Sequence, residues 1–232
     1  MSEFSIFFKT GIEHITDLNG LDHILFVMAL CLRYLWRDWK KILVLVTAFT
    51  IGHSVTLALS ALNIINFSRD WTEFLIAVTI IITALSNVTL KNFEFKSKYP
   101  LLYFYALFFG FIHGMGFSTM LKSLLGKDES IVLQLFSFNL GLEVGQLIIV
   151  TIVLFISFIF VSLLKISRRD YLVFVSGGIA AMALQMAIER FPIKTKQDET
   201  FAYLHYHSVC CNRNANCTKH YEQSWFKPRQ QV

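Results

Sequence analysis

Five side chains in this sequence combine metal-ligand chemistry with a place inside apolar runs. Asp22 and His23 stand together in "NGLDHILFVMALCL", His53 in "TAFTIGHSVTLALSAL", His113 in "FFGFIHGMGFSTM" and Glu143 in "FSFNLGLEVGQLII". Ionisable groups are costly at membrane depth, so they normally face a partner, a cavity or a pathway. Three imidazoles and two carboxylates are the ligand types expected for borderline divalent metals such as Ni²⁺, Co²⁺, Zn²⁺ or Cu²⁺. A carboxylate beside a histidine can also orient the ring or take up its proton. Taken singly, His53 or Glu143 could equally hydrogen-bond to a neighbouring helix and fix packing. It is the recurrence in four separate runs that points to a cation site.

The spacing around these residues is helical. Thr50, His53, Ser54 and Leu57 fall at i, i+3, i+4 and i+7, on one face. Asn139, Glu143 and Gln146 form another stripe, flanked by a small-residue stripe of Ser137, Gly141 and Gly145. Gly110, Gly114 and Gly116 surround His113, and small residues let helix backbones approach closely. A further run carries Glu73 near one end and a face of Thr79, Thr83, Ser86 and Asn87. Ser54, Asn139 and Gln146, with Glu13 and His14 ahead of the first run, are placed to assist the site.

The elements that must hold these residues are membrane helices. Of 232 residues, 55% are hydrophobic and 16% charged, with 23 Phe and only 3 Pro, and the mean hydropathy is +0.54. The charges cluster between apolar runs long enough to cross a hydrocarbon core of about 30 Å. The expected fold is an all-α membrane protein, one bundle of about six transmembrane helices. The expected spans are Leu21 to Trp36, Ile42 to Ile65, Glu73 to Leu90, Pro100 to Leu125, Ile131 to Leu164 and Tyr171 to Phe191. The fifth exceeds what a bilayer needs, so it should tilt, begin as an interfacial turn, or bend near Gly141 and Gly145. Residues 1–20 are expected as a surface segment, with a short helix over Phe7 to Leu18 broken by Asn19-Gly20. The apolar piece from Phe4 to Phe8 is too short for a signal core and has no basic leader, so the first span should act as its own insertion signal.

Lys and Arg near the spans set the orientation. Arg33, Arg37, Lys40 and Lys41 follow the first span, Lys91, Lys96 and Lys98 the third, and Lys165, Arg168 and Arg169 the fifth. The alternate loops hold Arg69, and Lys122 and Lys127 offset by Asp128 and Glu129, so both termini are expected outside. The net charge of +5 therefore reflects topology, not nucleic-acid binding. On this topology His53 lies about 16 Å and His113 about 20 Å from the inner end of its span, at 1.5 Å per residue. Asp22 and His23 lie near the outer end of theirs, and Glu143 descends to a similar level. All five can converge in the outer half of the bundle.

After Phe191-Pro192 the chain becomes a polar tail, residues 192–232, holding Cys210, Cys211, Cys217, His205, His207 and His220. An outside tail permits a disulfide between Cys217 and one of the vicinal pair. Metal capture by the tail, or no role at all, are the other readings.

The quoted motifs together resemble the HupE/UreJ family of bacterial membrane proteins, on "GLDHILF", "FTIGHSVTLALS", "FGFIHGMGFS" and "FNLGLEVGQL", over roughly residues 11 to 191. Family members are regarded as nickel, or nickel and cobalt, permeases that supply hydrogenase or urease maturation. The resemblance implies a multi-pass protein of the bacterial plasma (inner) membrane in which His23, His53, His113, Asp22 and Glu143 line a metal pathway. The family usually has a histidine a short step before Asp-His, often followed by Pro. Here His14 stands nine positions ahead of His23 and is followed by Ile15, and the Cys/His tail lies outside the resemblance.

The leading expectation is a permease whose substrate is a divalent transition metal, nickel first, then cobalt or zinc, with the lipid bilayer as its other partner. No Gly-rich phosphate loop of the ATPase kind occurs. The competing class is an intramembrane zinc-dependent hydrolase, with Glu143 or Asp22 as general base on a zinc-bound water. Ser54 is badly placed as a nucleophile for His53, because neighbours on a helix point about 100° apart. A structural subunit or a metal sensor is the third class. The sequence leaves the oligomeric state open, a homo-oligomer included.

Overall fold

A computed structural model describes residues 2–18, 20–65, 67–89, 101–124 and 131–192, with side chains of the fourth stretch described over 102–117. The tail cysteines Cys210, Cys211 and Cys217, and the basic loop residues Lys91, Lys96, Lys98 and Lys127, lie outside the described residues. Among those described there are seven α-helices and no strand: α1 (Glu3–Thr16), α2 (Leu21–Cys31), α3 (Trp39–Ala61), α4 (Arg69–Val88), α5 (Leu101–Leu124), α6 (Ile131–Phe158) and α7 (Arg168–Glu189).

Four of these elements, over Trp36–Ala61, Arg69–Val88, Ile131–Leu163 and Arg168–Glu189, are long and apolar enough to cross a membrane. Leu21–Cys31 and Leu102–Phe117 are shorter apolar helices. This is an all-helical membrane protein. Its outward apolar side chains, such as Phe104, Phe108, Phe155 and Phe174, are those a bilayer would solvate, and exposed Trp36, Trp39 and Trp71 sit near helix ends, where indoles favour the interface.

The long fifth run is helical straight through Gly141 and Gly145, so neither glycine bends it. It passes into a π-turn over Ile159–Leu163 and ends at Lys165 with a positive φ of 55°. α3 ends in the same way, Asn63 taking φ 57° while Ile64 N–H returns to Leu59 O at 2.9 Å.

Two expectations need correction. The first span was expected to run to Trp36, but α2 has 11 residues, about 16 Å and half a hydrocarbon core. The chain turns at Leu32–Tyr34, where Arg33 folds inward onto α4. The segment 1–20 is not a surface segment either: α1 packs along α6 and buries Phe7, Gly11 and Ile15. Glycine makes this approach possible. A Cβ at Gly11 would meet Phe138 O at 2.1 Å, one at Gly141 would meet Phe8 O at 2.0 Å, and one at Gly145 would meet Ile15 Cγ2 at 2.2 Å.

The helices pair as α3 with α5, α1 with α6 and α4 with α7, while short α2 packs on α4, α6 and α7. Phe26, Phe49 and Phe138 are buried where these elements meet. They form the apolar floor on which the histidines sit.

Candidate metal centre

The α3–α5 pair positions two of the histidines. A Cβ at Gly110 would meet Phe49 O at 2.2 Å, and one at Gly114 would meet Thr56 Oγ1 at 2.0 Å and His53 O at 2.5 Å. A Cβ at Gly52 would come as close to Leu107 O, at 2.2 Å. The glycines thus bring the two backbones together at the level of His53 and His113. Both side chains are fully buried there, and His23 is nearly so at 8% exposure.

α1 and α2 bring in the others. The ring of His14 lies 4.6 Å from that of His23 and 6.1 Å from that of His53, centroid to centroid. His23 is 6.2 Å from His53 and 5.2 Å from His113. One ligand nitrogen from each of His14, His23 and His53 can be chosen so that all lie within 4.8 Å of one another. An ion held at about 2.1 Å by tetrahedral ligands needs nitrogens about 3.4 Å apart, so side-chain shifts on the order of 1 Å would close the set.

The nitrogens are also chemically free. Nε2 of His14 and His23, both nitrogens of His53 and Nδ1 of His113 are buried with no hydrogen-bond partner. A buried polar atom left unpaired costs about 1–3 kcal/mol, so five together ask for an occupant. His113 keeps one tie, Nε2 to Thr79 Oγ1 at 3.2 Å. Thr79 sends its own hydroxyl proton to Ile76 O at 2.7 Å. With the Thr79 proton on Ile76 O, the tautomer that donates from Nε2 leaves the Nδ1 lone pair for a cation. Packed aromatic faces surround the cluster: Phe26 lies 4.8 Å and Phe49 5.3 Å from His113, and Phe117 lies 3.9 Å from His14.

Both carboxylates have hydrogen-bond partners outside this cluster. Asp22 Oδ2 accepts from Arg190 Nη1 at 2.8 Å, joining α2 to the end of α7, while Oδ1 is buried without a partner. Glu143 Oε1 accepts from Thr47 Oγ1 at 2.7 Å, and a turn further on Gln146 Oε1 accepts from Thr50 Oγ1 at 2.9 Å. Of the assisting residues, Ser54 donates to Thr50 O at 2.6 Å, and Asn139 donates from Nδ2 to Leu135 O at 2.8 Å, leaving Oδ1 buried and unpaired. Exposed Glu13 pairs with Lys9 at 3.4 Å, and Glu73 with Arg69 at 2.6 Å. The structure thus brings His14, His23, His53 and His113 together and sends Asp22 and Glu143 to other partners.

Arg33, which the sequence pattern marks only as a topology signal, and Arg190, which it does not mark, have specific work. Arg190 holds Asp22. Arg33 ends the polar face of α4, its Nε donating to Asn87 Oδ1 and its Nη2 to Ser86 Oγ, while Asn87 Nδ2 bonds Ala29 O at 2.8 Å. Arg168 in turn donates to Arg33 O. A guanidinium keeps its charge at neutral pH, so these partners hold a buried cation. No local signal links Asp22 to Arg190, which are 168 positions apart.

The family model described as HupE / UreJ protein matches residues 1–190. No curated protein and no solved structure matches the chain.

Proposed function

The chain belongs to the HupE/UreJ family, and on that premise we propose that it is a membrane permease whose substrate is a divalent transition metal, nickel or cobalt first. The observation that carries the reading is the buried cluster of His14, His23 and His53, with His113 beside it and five of the ring nitrogens unpaired. Neutral imidazoles bind borderline metals well, yet each can exchange its ligand bond for a proton or a water. A permease needs that balance, since the ion must shed water to enter and still leave.

The hydrolase reading requires a free carboxylate beside a metal-bound water. Asp22 is held through Oδ2 by Arg190 and Glu143 through Oε1 by Thr47, and neither belongs to the set of three ligand residues, which favours transport. In the permease reading both termini face outside, the His cluster lies in the outer half of the bundle, and Asp22 and Glu143 flank the path. α2 to α7 supply six crossings, α2 completing its own through the Leu32–Asp38 turn.

The test is elemental analysis of purified protein together with Ni²⁺ uptake into sealed proteoliposomes, for wild type, His53→Ala and His113→Ala. Exchangeable metal with uptake lost in both variants is the expected result. One tightly held zinc per chain without flux would transfer the site to the hydrolase class, and no bound metal would return the histidines to packing.

A further inference from the structure

The cluster has to be reached from water, and three of its histidines cannot be. His53 and His113 have no exposed surface and His23 very little. His14 differs: it is half-buried, and it lines an open cleft of about 540 Å³ together with Thr10, Glu13, Asp17, Leu18 and Phe117. His14 therefore belongs both to the cleft and to the set of three ligand nitrogens. Its Nε2 carries no hydrogen bond.

We propose that this cleft is the water-side mouth of the metal centre, and that His14 is the hand-over ligand that takes a hydrated divalent cation from the cleft and passes it to His23 and His53. The inference rests on the cluster being a metal site and deepens that reading by naming its access. Chemistry and position agree. Glu13 on α1, which also pairs with Lys9, and Asp17 just past the end of α1 flank His14 and are both exposed, so the rim carries acidic groups that attract a cation still holding its water. His14 offers the first nitrogen, at the point where solvent ends. Phe117 closes the inner wall, its ring 3.9 Å from His14 and stacked at 4.9 Å on buried Phe138. An ion leaving the cleft thus meets imidazoles in one direction and aromatic carbon in the other.

Plugging a mouth changes rates and leaves equilibrium affinity alone, whereas deleting a ligand changes affinity. The full chain with Cys210, Cys211 and Cys217 replaced by Ser, retaining fully buried Cys31, would carry Leu18→Cys at the 76%-exposed rim position. It is labelled in detergent with a bulky water-soluble maleimide, and Ni²⁺ loading is followed by stopped flow. Ile64→Cys, in the loop after α3, is the labelled control. The expected result is that label at position 18 slows loading about tenfold with the final Ni²⁺ stoichiometry unchanged, since blocked access acts on the association rate. His14→Ala, unlabelled, should instead weaken binding. Unchanged loading after full labelling at position 18, or no reaction there with the water-soluble reagent, overturns the mouth. Loading in detergent requires no transport, so vesicle uptake can fail while this result stands; absence of any Ni²⁺ loading in the unlabelled chain overturns the mouth and the metal centre together.

Discussion

Replacing Gly110 by Ala tests whether close backbone approach sets the candidate metal centre. The new Cβ would lie 2.2 Å from Phe49 O and 3.1 Å from His53 N, both rigid backbone atoms of α3. To reach an ordinary 3.4 Å contact the two helices must move about 1.2 Å apart, and overpacking of this kind costs about 1–3 kcal/mol. The same motion carries His53 away from His113. Metal–ligand distances tolerate only about 0.2 Å, so affinity should fall about tenfold or more. Thermal unfolding in detergent reads the first effect and Ni²⁺ calorimetry the second. Gly178→Ala is the control, because a Cβ there meets nothing within 4 Å; removing a mid-helix glycine should be neutral or stabilise by up to about 1 kcal/mol. If Gly110→Ala melts with Gly178→Ala and binds Ni²⁺ normally, the close-approach argument is wrong.

Asp22→Asn and Arg190→Gln should show a coupling of about 1–2 kcal/mol in a double-mutant cycle read by thermal unfolding, because the pair is charge-assisted and mostly buried; additive effects would mean that the clasp contributes nothing. Asn87→Leu strips buried Arg33 of a partner and should destabilise by about 2–4 kcal/mol, while Arg33→Met with Asn87→Leu recovers part of that loss in the same denaturation assay. Glu143→Gln should leave Ni²⁺ binding within about twofold, since the carboxylate bonds Thr47, yet slow vesicle uptake about tenfold as a flanking path residue. A loss of equilibrium binding instead would place Glu143 among the ligands.

Much of the fold was legible because membrane helices announce themselves locally. Apolar runs gave α3 to α7 with ends displaced by only a few residues, and the glycines around His113 signalled close packing, whereas the stripe of Gly141 and Gly145, read as a possible bend, is a packing face as well. The same reading missed the partner of that stripe. α1 is half-polar and 14 residues long, which reads as a surface helix until Gly11 is seen against Phe138. α2 was overextended because Leu32 and Tyr34 continue the apolar pattern, and nothing nearby shows Arg33 turning in to meet α4.

The sequence by itself determined that imidazoles stand within apolar helices, and that His53 and His113 lie next to glycines able to bring their backbones together. Both are properties of composition and of the 3.6-residue period, which act over a few turns. Which residues gather in the candidate centre follows from tertiary packing. It drew in His14 through the packing of α1, gave Asp22 to Arg190 and Glu143 to Thr47, and left the histidine nitrogens unpaired. Those choices depend on which polar group lies within about 3 Å across helix interfaces, a geometry that no spacing along one chain segment encodes.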